Sequence, residues 1–434
     1  MKQTARIIST YSADVMGVCS ALFELGGMTV MHDASGCNST YTTHDEPRWF
    51  DMDSMVYISG ISEIEAIMGD DEKLISDIAD AAEVLKPAFI AIAGTPIPTM
   101  TGFDFEAVAQ VIEQKTGIPS FGFPTTGMNT YIHGASMAFA GIAERLVDDH
   151  DSDNSDGGIS SQMSLPSLSR SGRDICCVPP DYEMQASDRY RVNIIGLTPL
   201  DFSINGQDGS IVQWLMNEGF EVVSKWAMGS SLDEIRRSAE ADVNLVVSAA
   251  GFEAAKVLYE RFGIPYVAGL PIGEDQKYIL SSALTERAEQ YRAVLKGESD
   301  EWPARGVFIF KDVLRDLISG EVSDSDIVLI GEPVTSLALA SAIEFETGRI
   351  TKVLCATEPM DACLRQRDRV TPDEDDIIPE LEGASVVIAD PLYKPIIPEG
   401  AEFIPLPSEA FSGRIYRDDI PDLISDAGPI LNKL

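Results

Sequence analysis

Cys19, Cys37, His32, Asp33 and His44 crowd into one stretch, GVCSALFELGGMTVMHDASGCNSTYTTHDEPRW, over residues 17–49. Thiolates are soft ligands suited to iron–sulfur clusters. Cys19 falls inside the helical spacing of residues 14–25, and Cys37 ends the loop HDASGC after an apolar run at 28–32. Gly36 lets the backbone approach a bulky group beside Cys37. Spacing alone leaves two readings open, a ligand pair or two buried structural thiols, and it favours the thiols. The other cysteines carry less. Cys176 and Cys177 are adjacent and cannot readily chelate one metal together, while Cys355 ends a strand and Cys363 lies on a helix, where packing is the simpler reading. Six cysteines without a CxxC pair, in a chain of this length, make no disulfide framework.

A second stretch, PTTGMNTYIHG over 124–134, joins an expected strand to an expected helix. Its glycines permit close approach, and free amides at a helix start favour an anion. Asn129, Tyr131 and His133 are the polar candidates there. A plain strand–helix connection with one satisfied histidine explains the same residues. No GxxxxGK[ST], HExxH or Ser-His-Asp pattern is visible, so ATP hydrolysis would fall to a partner.

The elements that must position these residues alternate between strand and helix. Helices are expected over 14–25, 63–85 and 105–115, with strands over 28–32, 88–93 and 120–123. The phrase then repeats. A strand over 243–248 and a helix over 253–262 end in GIP, as the helix over 105–115 does. A third series has a strand over 326–330, a helix through 346 and a strand over 351–354. The fold class is therefore α/β: three Rossmann-like units with parallel, doubly wound sheets around a central cleft. The expected units are 1–147, 189–300 and 301–434. A Ser-, Asp- and Gly-rich flexible linker, 148–188, separates the first two.

Length and charge agree with this plan. At roughly 150 residues per domain, 434 residues predict about three domains. The net charge of −38 repels phosphate and excludes nucleic-acid binding. It fits either a solubility adaptation or a negative face that steers cations or a basic partner. The longest apolar runs are strand-sized, well short of the roughly 20 residues a membrane helix needs, and the first residues lack the apolar core of a signal peptide. The expected setting is cytoplasmic.

The first stretch resembles the cluster-binding segment of the nitrogenase component 1 family, in which a helical cysteine precedes a strand and an HGxxGC loop. Further segments are similar in the same order: ISEIEAIMGDDEKLISDI, GTPIPTMTGFDFEAV, NLVVSAAGFEAAKVLYERFGIPY, DIVLIGEPVTSLALASAIEFETG and FIPLPSEAFSGRIY. The resemblance implies that Cys19 and Cys37 are metal ligands and that Asn129, Tyr131 and His133 bind substrate. It also departs from the family. Thr95 stands where a third cluster cysteine is expected, and a hydroxyl is a poor ligand for iron. Ser248 and Pro407 stand where the catalytic subunit anchors its molybdenum–iron cofactor, so no such cofactor is expected. The chain looks more like the family's tetrapyrrole reductases, the dark-operative protochlorophyllide reductase and the nickel-tetrapyrrole reductive cyclase. Two thiolates per chain imply one [4Fe–4S] cluster shared across a homodimer, or across a heterodimer with a homologue. Electrons would come from an ATP-dependent iron–sulfur reductase and go to a small-molecule substrate. The alternatives are a scaffold for metal-cofactor assembly and a non-redox binding protein that retains the fold.

Overall fold

The computed structural model describes residues 5–34, 36, 45–69, 71–149, 189–310, 326–358 and 363–434. Cys37, His44, Cys176, Cys177 and most of the expected linker lie outside the described residues.

Each sheet grows from short, buried apolar strands, the pattern of parallel sheets covered on both faces. In the first unit, β1 (Met28–Met31) lies between β2 (Met55–Ile58) and β3 (Ile90–Ala93), with β4 (Ser120–Phe123) beyond β3. In the second, β5 (Arg191–Ile195) lies between β6 (Glu221–Trp226) and β7 (Val243–Val246). β8 (Tyr266–Ala268) and β9 (Gly306–Phe308) follow. The third centres on β10 (Ile327–Gly331), with β11 (Thr351–Cys355) and β12 (Arg369–Val370) on one side. On its other side are β13 (Val386–Ala389) and β14 (Glu402–Pro405). Every pairing within these sheets is parallel. The three doubly wound sheets expected from the repeated phrase are present. The boundary expected at 300 falls just before β9, which pairs with β8.

The helices are α1 (Asp14–Leu22), α2 (Glu63–Met68), α3 (Asp71–Leu85), α4 (Pro96–Thr101), α5 (Phe105–Thr116) and α6 (Tyr131–Arg145) in the first unit. The second unit carries α7 (Pro199–Phe202), α8 (Gln207–Asn217), α9 (Phe252–Phe262) and α10 (Glu274–Leu295), and the third α11 (Pro333–Thr347). The single helix expected over 63–85 is two. A Ser62–Glu65 capping box starts α2, and Gly69, at φ 67°, ends it after six residues. β2 was not expected, because four residues are too few to show a period.

One apolar core runs through all three units, and a smaller one lies beneath the first sheet around Met28, Val30, Ile78, Ile92 and Ile112. The tightest contact in the large core is α1 on α6. A Cβ on Gly17 would lie 1.9 Å from the Tyr131 carbonyl oxygen, and one on Gly134 would lie 1.8 Å from that of Asp14. Backbone atoms cannot retreat as a flexible side chain can. Gly134→Ala should therefore cost at least about 2 kcal/mol of stability by chemical denaturation. Gly209→Ala, on α8 with nothing within 4 Å of the added carbon, should leave stability nearly unchanged.

Candidate functional site

All strands of a sheet point the same way, so their carboxyl ends gather the loops that can carry chemistry. In the first unit these are the loops after β1, β3 and β4. Thr95, after β3, is buried, and its hydroxyl donates to the His32 carbonyl at 3.2 Å and to Asp33 Oδ1 at 3.0 Å. The residue in the place of the expected third cysteine thus stitches its loop to the one that leads to Cys37. Asp14, at the start of α1, accepts the amides of Thr126 and Gly127 at 2.9 and 2.8 Å. The loop after β4 is thereby tied to the helix that carries Cys19.

Cys19 is fully buried within the core. Burial, and then the nearby Glu46 carboxylate, push its thiol far above the ordinary range. Glu46 belongs to a buried ionic cluster. Arg48 donates to Glu46 at 2.6 Å, to Glu24 at 2.7 Å, to the Ser20 carbonyl at 2.8 Å and to the Ala227 carbonyl at 3.0 Å. These contacts bind α1 to the second unit. Among the described residues no group of three or more His, Cys, Asp or Glu side chains could hold a metal ion. Cys19 lies on α1, and Cys37 lies outside the described residues. Cys355 and Cys363 are both buried.

The three expected substrate-binding residues do not converge. The Asn129 amide donates to Asp14 Oδ2 at 3.2 Å. Tyr131 is buried, and its hydroxyl donates to Asp201 of α7 in the second unit. His133, two residues on, is exposed. The neighbouring Thr130 donates through its amide and hydroxyl to Glu358 of the third unit.

Asp201 leads into a cavity of about 50 Å³ where the second and third units meet, lined also by Glu332, Asp390, Pro407 and Ser408. Glu332 caps α11 and accepts the amides of Thr335 at 2.7 Å and Ala249 at 2.8 Å. Asp390 accepts from the Ser408 amide at 3.0 Å and the Ser412 hydroxyl at 2.8 Å. Burial raises all three acids, and for Asp201 the charge of Glu332 adds to it. The Ser248 hydroxyl donates to the Gly196 carbonyl at 2.6 Å and lies close enough to the Asp201 carboxyl to act on it. Ser248 and Pro407, far apart in sequence, thus belong to one junction. Sequence reasoning missed the acids. Their signal was an acid just past a buried strand, as in LIGEP and VIADP.

At the carboxyl end of the first sheet the surface is apolar. Ile64, Ile67 and Met68 of α2, Met100 of α4 and Met128 of the loop after β4 are each more than 70% exposed. α2 contacts α4, and Gly127 lies against Pro96 of α4. These apolar side chains thus stand on neighbouring elements, and exposed apolar patches mark interaction surfaces.

A family model for nitrogenase component 1 type oxidoreductases matches residues 14–387. The chain belongs to that family. The nitrogenase iron-molybdenum cofactor biosynthesis protein NifE of Methanosarcina barkeri is 25% identical over 249 residues, 54% of this chain and 47% of its own. NifE of Clostridium pasteurianum is 24% identical over 273 residues, 61% of this chain and 51% of its own. The chain spans about half the length of these curated relatives. A light-independent protochlorophyllide reductase polypeptide of Prosthecochloris aestuarii is 36% identical over 85 residues, 19% of this chain and 16% of its own. The structure of nitrogenase Cp1 at pH 6.5 superposes with a TM-score of 0.62 at 13% identity, covering 100% of this chain and 90% of its own. That likeness shows the fold. No helix among the described residues is long and apolar enough to cross a membrane.

Two pH dependences of opposite sign follow. Asp201 holds its proton in the folded state after the unfolded chain releases it near pH 3.9. Its stabilisation is therefore present at acid pH and is lost as pH rises through the raised value. Asp201→Asn should melt like the parent at pH 4 and several degrees higher at pH 8. His32 is lowered to about 4, chiefly by burial. Its contribution is present above about pH 6.5 and is lost as pH falls toward 4. His32→Phe should flatten the melting curve in that window.

Proposed function

We propose that the chain is the electron-accepting component of a nitrogenase-like reductase and works as a dimer around one shared [4Fe–4S] cluster. The family is of the oxidoreductase type. The observation that carries the proposal is the apolar face beside the segment leading to Cys37. It offers a second subunit a place to pack where two thiolates per chain need a second chain to complete four. Cys19 and Cys37 of each chain would hold the cluster, either between identical chains or with a homologue. A cluster held there supplies one-electron transfer.

The chain's own residues supply the framework and the proton chemistry. Thr95 and Asp14 fix the loops around the first sheet's carboxyl end. Tyr131 and Asp201 hold a proton at the junction of the units, where a reduction needs protons as well as electrons. The chain carries no GxxxxGK[ST] sequence, and in this reading ATP hydrolysis falls to an iron–sulfur reductase partner. The junction cavity, small and lined by Asp201, Glu332 and Asp390, is ill suited to a large anionic metal–sulfur cofactor. The protochlorophyllide reductase relative favours a tetrapyrrole as substrate, which is too large for this junction cavity and in this reading binds elsewhere on the assembly. Such substrates and clusters belong to a reducing cytoplasm.

The NifE relatives favour a second reading, a scaffold on which a metal cofactor is assembled. Turnover with a reductase partner separates the two, because a scaffold retains a precursor without turnover. Purified without oxygen, the protein should carry about four irons per dimer. Cys19→Ser and Cys37→Ser should each lose the iron and keep the parent's circular dichroism. Cys176→Ser and Cys177→Ser should keep both. Ile67→Asp combined with Met100→Asp should give a monomer by light scattering, with its iron lost. An iron-free parent dimer would end the cluster reading.

A further inference from the structure

A cavity of about 330 Å³ lies between the first sheet and α3, apart from the acid-lined junction. It sits at the lower end of the roughly 300–1,000 Å³ range of small-molecule sites. Its floor is the apolar face of β1, Met28 and Val30, and Leu74 and Ile78 of α3 form a wall. Ala66 of α2 lines it as well.

One polar group stands at the end of this floor. His32 follows β1, is 6% exposed, and lines the cavity. Its Nδ1 lies 2.9 Å from Ser59 Oγ, which the Asp33 amide also bonds at 3.1 Å. Its Nε2 has no partner among the described residues. Phe103 packs on the ring with centroids 4.5 Å apart, so the imidazole is held from the side as well as from behind. The result is a fixed hydrogen-bonding nitrogen at the end of an apolar slot, the combination that orients a small ligand.

The rim selects by charge. Lys73 is engaged by Glu65 at 2.9 Å and Asp77 at 3.6 Å, and Asp71 also lines the mouth. Three carboxylates against one ammonium repel an anion. The apolar interior penalises any ion that leaves water without a partner. An apolar floor, the Phe103 ring beside His32 and an uncharged interior favour an uncharged aromatic occupant.

We propose that this cavity binds an uncharged, flat aromatic molecule whose single polar group hydrogen-bonds to His32 Nε2. His32 opens the segment that leads to Cys37, so occupancy fixes the root of that segment. The site is independent of the redox reading, and its test needs neither iron nor turnover.

The probe is 2-naphthol, uncharged at pH 7.5 and bearing one hydroxyl, titrated calorimetrically into the full chain. Naphthalene-2-carboxylate, similar in shape but anionic, is the control. The expected result is saturable binding of 2-naphthol at one per chain, with the carboxylate at least tenfold weaker. Ala66→Phe should fill the slot and abolish binding while leaving the melting temperature within a few degrees. His32→Phe should weaken 2-naphthol at least tenfold. No saturable binding to the parent, equal binding to parent and Ala66→Phe, or carboxylate binding as tight as naphthol would each overturn the proposal.

Discussion

The contact on which most of this structure depends is the crossing of α1 and α6, where Gly17 and Gly134 let two backbones touch. α1 carries Cys19, and α6 begins at Tyr131, whose hydroxyl reaches the second unit. The residue before it, Thr130, reaches the third. Moving the helices apart by one methyl group would shift the cysteine, the tyrosine and the loop between β4 and α6 together. Asp14 reinforces the same crossing, because its carboxylate takes the amides of that loop. A fold whose helix α1 and whose links to the second and third units share one crossing needs such a fixed point.

The junction acids follow from a second constraint. Parallel strands end in backbone amides that need acceptors, and a carboxylate just past the strand supplies them. Glu332 and Asp390 do this for their own loops, accepting the amides of Thr335 and Leu392. Where the loops of two units converge, their acids become neighbours; burial raises Asp201 and Glu332, and the charge of Glu332 raises Asp201 further. Two capping acids of the third unit thus meet an acid of the second, and burial there favours the protonated carboxyl.

Much of the fold was legible because its signals are local. The GIP phrase closes α5 and α9 with glycines at φ 73° and 75°, and apolar runs of strand length mark β3, β7 and β10. The site was legible only where a motif sat within one loop, as for Thr95 and the segment around His32. The pairing of Tyr131 with Asp201, and of Arg48 with the Ala227 carbonyl, crosses unit boundaries. No periodicity encodes such pairings. The burial of Cys19, by contrast, is what its place in the helical spacing favoured. The exposure of His133 differs from the burial of Tyr131 because residues two apart on a helix face different ways.

The single core running through all three sheets has a thermodynamic consequence. Each unit has its own topology, but apart from the smaller core beneath the first sheet the interior is shared, and part of each unit's apolar surface is covered by its neighbours. Local opening of one unit therefore exposes the others to water, and the free energies of opening are linked. The chain is three domains by architecture and one by cooperativity. Heating should melt it in a single calorimetric transition, and a fragment cut at a sheet boundary would inherit an uncovered face.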